Sequence, residues 1–217
     1  MRFLVYFADP LCSWCYGFGP ELTTFLAGEP GMRCDVVMGG LRPFNTETMS
    51  EQLRTMLRGH WKHVHEESGL PFSEAILERK DFVYDTEPAC RAVVAVRSLD
   101  AAKALPFMKA VQSAFYAEGR DATRPDVLGD VAQAAGIDRA AFLGAFESRA
   151  MKDETRLDFS TAQEMGVAGF PTLAVGYETK QFFLLASGFT RAGVLTERLK
   201  EIDAIAAKGR VPLPHEQ

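Results

Sequence analysis

The feature that most restricts this fold is a pair of cysteines two residues apart, Cys12-Ser13-Trp14-Cys15, lying between two different hydrophobic patterns. Ahead of it, Arg2–Phe7 is a short apolar run that ends at the turn signal Asp9-Pro10, as a strand does. Behind it, Leu11–Gly28 carries Leu22, Phe25 and Leu26 at helical spacing and closes at Gly28-Glu-Pro-Gly31. Met32–Met38 then reads as a second strand, with Cys34, Val36 and Met38 alternating to one face before Gly39-Gly40. The opening is therefore β–α–β, with Cys12 at the start of its helix. A C-x-x-C pair beside such a unit is a redox signature in a chain that is not secreted.

From about Thr46 to Glu164 the pattern turns almost wholly helical. The spacing predicts helices over Thr48–Glu67, Ser73–Leu77, Thr86–Leu99, Leu105–Glu118, Arg124–Ala135, Arg139–Ala150 and Lys152–Met165. Asp85, Asp121 and Asp138 stand at N-cap or turn positions, and Pro88 fits a first helical turn. After Gly166-Val-Ala-Gly-Phe-Pro171 the pattern is β again. Thr172–Tyr177 and Phe182–Ser187 flank a polar turn around Glu178-Thr179-Lys180 and form a predicted hairpin. A last helix covers Arg191–Ala207, and the tail Gly209–Gln217 reads as extended or loose. Without the helical block, the remainder is a small α/β sandwich. The expected division is a discontinuous α/β domain, 1–45 with 152–217, around a helical insertion at 46–151.

Composition narrows the function. The 217 residues suffice for one elaborated domain or two small ones without staples. Acidic residues outnumber basic ones, 29 to 24, so the basic footprint of a nucleic-acid binder is missing. No apolar run approaches the ~20 residues of a membrane span. Phe3–Phe7 is too short for a signal peptide, so the expectation is a cytoplasmic protein. Four cysteines are too few for a disulfide scaffold, and the cytosol disfavours one. A zinc site generally wants a second close pair, which Cys34 and Cys90 do not form. Neither metal nor cofactor is expected.

Thiol–disulfide exchange needs an accessible thiolate and a second thiol to resolve the mixed disulfide. A helix N-terminus offers unpaired N–H groups and the positive end of the dipole, which favour an anion at Cys12. Cys15, one turn inward, lies within disulfide reach and can resolve. Ser13 and Trp14 tune the pair; neither is cationic, so no extreme oxidant is expected. Phe170-Pro171 opens a strand after a glycine-flanked turn, a place where an X–Pro bond is either cis or ordinary trans.

These residues carry a resemblance. Asp9-Pro-Leu-Cys-Ser-Trp-Cys-Tyr-Gly-Phe18, Gly166-Val-Ala-Gly-Phe-Pro-Thr172, Tyr84-Asp-Thr-Glu-Pro-Ala-Cys-Arg-Ala-Val93 and Ala114–Asp121 running into Pro125–Leu128 resemble the DsbA-like family of the thioredoxin superfamily. The likeness is to its FrnE-like, disulfide-isomerase type with a helical insertion. It implies a thioredoxin-like α/β fold and a Cys12–Cys15 redox pair. It implies a cis-Pro171 facing that pair, with the Phe170 backbone holding an extended substrate segment and the insertion shaping the groove. Ser13, Trp14 and Thr172 complete the expected substrate contacts. The partners would be protein or peptide thiols and disulfides, with glutathione or a thioredoxin-type protein exchanging electrons. Kappa glutathione transferases and 2-hydroxychromene-2-carboxylate isomerases share this fold but typically carry serine at the position of Cys12. Such a glutathione-dependent activity is the second reading, and a non-catalytic holdase for apolar segments is the third.

Other candidates have plainer readings. Cys34 and Cys90 read as packed thiols. His60, His63 and His65 read as a solvated helix end rather than metal ligands. Asp9 either bonds helix N–H groups or simply forms a turn. Glu21 reads as a surface charge rather than a proton relay for Cys15. Trp14 and Tyr16 would form an apolar rim for substrates, while Phe115, Phe142 and Phe146 belong to the core.

Overall fold

The computed structural model describes residues 2–178 and 181–208. Four strands form one sheet in the order β2-β1-β3-β4: β1 Arg2–Ala8, β2 Cys34–Met38, β3 Thr172–Tyr177 and β4 Phe182–Ser187. β2 runs parallel to β1, which requires a crossover, and α1 (Ser13–Ala27) supplies it. β3 pairs antiparallel with β1, setting Tyr6 opposite Leu173 and Phe7 opposite Thr172. β4 returns antiparallel to β3 as the expected hairpin, with an irregularity between Leu173 and Ala174. α9 (Ala192–Lys208) completes a thioredoxin-like fold. Thr179 and Lys180 of the expected turn, and the expected loose tail Gly209–Gln217, lie outside the described residues.

Strand alternation divides the packing. Leu4, Tyr6 and Ala8 join the large core beneath α1, while Val5 and Phe7 pack on the other face with Ala162 and Ala174. Between β2 and β3 lie α2 (Glu51–Ser68), α3 (Ala75–Glu78), α4 (Glu87–Leu99), α5 (Ala104–Gln112), α6 (Pro125–Ala134), α7 (Arg139–Glu147) and α8 (Arg149–Glu164). α4 is buried without interruption from Ala89 to Val96, so it must be enclosed on all sides. Arg91 is tolerated there because Glu87 pairs with it at 2.8 Å and the Phe146 carbonyl accepts from it at 2.7 Å. At the end of α4, Arg97 donates to the Val36 carbonyl (2.7 Å) and to both oxygens of Asp158 (2.8 and 2.9 Å). Asp158 also accepts from the Met38 N–H at 2.9 Å. These contacts occupy the edge of β2 that no strand covers. Among the described residues, no helix is long and apolar enough to cross a membrane.

Three helix boundaries depart from the sequence pattern. The helix expected from Thr48 begins at Glu51, because the Ser50 hydroxyl caps it by accepting from Leu53 N–H, while Thr48 bridges to Val83. The helix expected over Leu105–Glu118 is α-helical only to Gln112 and widens into a π turn at Ser113–Ala117. The break expected near Ala150 falls at Ser148, whose hydroxyl accepts from Met151 N–H at 3.2 Å and starts α8.

Candidate active site

Cys12 is the N-cap of α1, in extended conformation, one residue earlier than the helix proper. Its N–H donates to the Asp9 carbonyl at 3.0 Å and its carbonyl accepts from Tyr16 N–H at 3.1 Å, closing the first turn. No side chain caps this end, so the N–H groups of the first turn are left without a side-chain acceptor. The Cys12 thiol donates to the Phe170 carbonyl at 3.5 Å. Phe170-Pro171 is cis, as expected, and brings the loop before β3 against the start of α1. Cys12 is 6 % exposed and Cys15 only 1 %. Both are free thiols. Burial pushes the Cys15 thiol well up, and the neighbouring Cys12 adds to that rise.

The remaining predicted contacts fall into two groups. Ser13 and Trp14 are half-buried between the cysteines. The Trp14 ring meets His63 edge-on at 5.4 Å and Phe189 at 5.9 Å. Phe170 is half-buried and directs its ring onto Gly39, where a Cβ would come within 2.0 Å of the ring carbons. A cleft of about 520 Å³ opens on that side of Phe170, lined also by Gly40, Pro43, Phe159 and Val167. Thr172 is buried in β3 and its hydroxyl donates to the Gly169 carbonyl at 2.8 Å, so it braces the loop from within.

One secondary expectation changes. Tyr16 is not a rim residue. It is buried, stacked on Tyr116 at 5.0 Å, with its hydroxyl donating to the Pro71 carbonyl. The π turn carries Tyr116 into this position, among Trp61, Phe72 and Phe115. Asp9, left open between two roles, is fully buried and takes the turn-forming one, its carboxylate closing a turn on Leu11 N–H ahead of the helix. It accepts from Leu11 N–H at 2.8 Å and Leu41 N–H at 2.7 Å, and from the Cys90 thiol at 3.4 Å. It thereby ties the start of α1 to the loop after β2 and to α4. Burial raises its carboxyl above the usual range, against the pull of those donors. Cys90 is enclosed and pushed well up, first by burial and then by Asp9. Cys34 is half-buried and pushed up to about 12 by burial and by Asp35. Glu21 is engaged away from the thiols, accepting from Ala192 N–H at 2.8 Å and pairing with Arg191 at 2.9 Å. His60, His63 and His65 are exposed, and among the described residues no three His, Cys, Asp or Glu side chains gather as a metal site.

Sequence reasoning missed the tyrosines behind the thiols. Tyr84 donates to the Leu11 carbonyl, just before Cys12. Tyr6, in the middle of β1, is buried against Phe18, and its hydroxyl has no partner in hydrogen-bonding geometry. Burial raises this phenol well above its ordinary value, and the Cys15 thiol adds to the rise. The signal was present: Tyr6 shares the period of Leu4 and Ala8, the face turned toward α1.

The DSBA-like thioredoxin domain model matches residues 3–200 of the chain. A candidate protein disulfide isomerase from Nitrosomonas europaea is 32% identical, with a TM-score of 0.87 over 94% of this chain and 98% of that one. The cytosolic disulfide reductase DsbM from Pseudomonas aeruginosa, in its structure with GSH, is 26% identical, with a TM-score of 0.75 over the same shares, 94% and 98%. The ClpXP adapter protein SpxH of Halalkalibacterium halodurans is 25% identical over 171 residues, 76% of this chain, and the match spans 56% of the adapter's length.

Proposed function

The chain belongs to the DSBA-like thioredoxin domain family, and from that premise we propose that it is a thiol–disulfide oxidoreductase with Cys12 and Cys15 as its redox pair, acting on protein or peptide disulfides in the cytoplasm. The observation that carries this reading is the Cys12 sulfur at a helix N-terminus, 3.5 Å from the carbonyl that precedes cis-Pro171, with Cys15 enclosed one turn inward.

The order of events follows from that geometry. Cys12 attacks a substrate disulfide, forms a mixed disulfide and releases one substrate thiol. Cys12, at the N-terminus of α1, is the thiol that makes the attack. Phe170 and Pro171 flank the incoming sulfur, and the substrate backbone lies along this loop. Trp14 and Ser13 border the other side, and Thr172 holds the loop in shape. Cys15 then attacks Cys12, closing the intramolecular disulfide and freeing the second substrate thiol. A low-molecular-weight thiol of the glutathione class returns the pair to its reduced form; the similarity to a disulfide reductase determined with GSH supports that choice.

Replacing the resolving thiol tests the scheme. Cys15→Ser should hold disulfide-bearing clients as mixed disulfides on Cys12, visible on non-reducing gels and cleared by added glutathione. Cys12→Ser should hold none. Client turnover by Cys15→Ser at the parental rate without added thiol would refute the dithiol scheme and favour a monothiol, glutathione-linked activity.

A further inference from the structure

We propose that the cleft beside Phe170 receives a large apolar side chain of the client, and that Arg42, in the loop forming one wall, pairs with an acidic residue next to it. The clients of the Cys12–Cys15 pair therefore carry a hydrophobic and an acidic residue near the cysteine they exchange. The proposal rests on the dithiol reading of Cys12 and Cys15 and names the class of client that those thiols select.

The cleft lies between the loop after β2 and the end of α8, with Gly39, Gly40, Pro43, Phe159, Val167 and Phe170 among its walls. A Cβ on Gly39 would lie 2.0 Å from the Phe170 ring, and one on Gly40, at φ +68, would lie 2.9 Å from the Phe159 ring. The two rings therefore rest directly on main chain. Outward, the apolar wall continues through Phe44, which is 51 % exposed and meets the Phe159 ring edge-on at 6.2 Å. Phe44 is held at φ 61, with its N–H donating to the Asp85 carboxylate at 2.7 Å. Bulky residues rarely adopt that left-handed conformation, and here it keeps a large apolar ring at the surface. The cleft is continuous with the reaction site because Phe170 belongs to both. Its carbonyl stands 3.5 Å from the Cys12 sulfur and its ring lines the cleft. An extended client advances roughly 3.3 Å per residue, so a side chain within two positions of the exchanged cysteine reaches the cleft.

Arg42 supplies the charge. Its main chain is fixed to buried Thr86 in both directions: Arg42 N–H donates to the Thr86 hydroxyl at 3.1 Å, and Thr86 N–H donates to the Arg42 carbonyl at 3.2 Å. The preceding Leu41 donates its N–H to the Asp9 carboxylate at 2.7 Å, and the Asp9 carbonyl accepts from Cys12 N–H at 3.0 Å. The loop is thereby tied to the nucleophile. Arg42 is exposed, with its guanidinium 5.9 Å from the centre of the Tyr84 ring, and Tyr84 donates to the Leu11 carbonyl beside Cys12. Among the described residues Arg42 enters no ion pair. An anchored cation without an internal partner favours an acidic group on whatever occupies the adjoining cleft, and contributes selectivity more than affinity.

Short peptides whose single cysteine is disulfide-bonded to thionitrobenzoate test this. The Cys12 thiolate attacks the peptide sulfur, the Cys12–peptide disulfide forms, and thionitrobenzoate leaves with the electron pair. Cys15 then attacks Cys12 and displaces the peptide as a free thiol. Rate constants for thionitrobenzoate release are compared for peptides with glycine around the cysteine, with phenylalanine two residues before or after it, and with that phenylalanine joined to aspartate or to lysine. Each protein is read as a ratio between peptides, which cancels any change in Cys12 itself. The parent should take the better phenylalanine peptide over the glycine one by roughly tenfold, the scale of one buried large side chain, and aspartate over lysine by about threefold. Ala168→Trp, which places an indole in the cleft, should abolish the first preference, and Arg42→Glu should reverse the second. A parent indifferent to phenylalanine overturns the proposal, as does a preference that survives Ala168→Trp or an aspartate preference retained by Arg42→Glu. Sequence-blind exchange by the parent, with a change of mass in sedimentation for Ala168→Trp, would assign the cleft to a second copy of the chain instead. Release by Cys12→Ser at the parental rate overturns the reading of Cys12 itself, and the proposal with it.

Discussion

At the scale of single residues, four thiols in one chain are set apart by their surroundings. Cys12 stands at the N-terminus of a helix that no side chain caps, whereas Cys15 and Cys90 are enclosed and pushed well up by burial. Cys34, half-buried, is pushed up to about 12 by burial and Asp35. Alkylation at mildly acidic pH should therefore modify Cys12 well before the other three, as read by mass mapping. Equal labelling of Cys12 and Cys34 would contradict the assignment. The two cysteines and Phe170-Pro171 were legible because their chemistry is local: a spacing, a turn, a proline. The burial of Asp9 and the orphan hydroxyl of Tyr6 were not. Tyrosine in an apolar strand reads as core, and only the register of β1 between β2 and β3 decides what its hydroxyl faces.

At the scale of elements, the misplaced boundaries share a cause. Apolar spacing marks the face of a helix but not the hydrogen bonds that start and stop it. Ser50 and Ser148 each start a helix through their hydroxyls inside a run predicted as helical, and the π turn at Ser113–Ala117 adds a residue per turn without changing residue type. Glu21 illustrates the same limit, since its partner on α9 is remote in sequence. Burial alone would raise its carboxyl, but the Ala192 N–H and Arg191 outweigh that and hold it below the ordinary value. A group depressed in the folded state stabilises the fold above its ordinary range and loses that contribution as pH falls through the depressed value. Glu21→Gln should therefore cost about 0.5–1 kcal/mol near neutrality, as an anion at a helix N-terminus is worth, and close to nothing in strong acid. Urea midpoints of parent and variant at the two pH values measure this. A cost that persists undiminished in acid would mean that packing, not charge, holds α1 to α9.

At the scale of the whole molecule, the order β–α–β, helical block, α–β–β–α was readable from periodicity, because each change from helical to strand period coincides with a turn signal. What the sequence could not reveal is how closely the two parts are joined. One continuous apolar core runs from Leu4, Val36 and Leu173 of the sheet through Phe18 and Phe25 of α1 to Val93 of α4 and Phe107, Phe142 and Phe146 beyond. Arg97 and Asp158 tie the helices to the edge of β2, and Asp9 ties the first strand to Cys90 of α4. Neither part can open without exposing the other's core. We therefore propose that the α/β portion, 1–45 and 152–217, and the helices of 46–151 unfold together. The two tryptophans fall one in each part, Trp14 beside the thiols and Trp61 in the aromatic cluster of the insertion. In Trp61→Phe, fluorescence reports the site, and in Trp14→Phe it reports the insertion. Within each variant, the urea midpoint by fluorescence should coincide with that by far-ultraviolet circular dichroism, as a single cooperative transition requires. A Trp14 signal that changes at lower urea than the helical signal would instead show the α/β portion loosening first around an intact helical layer.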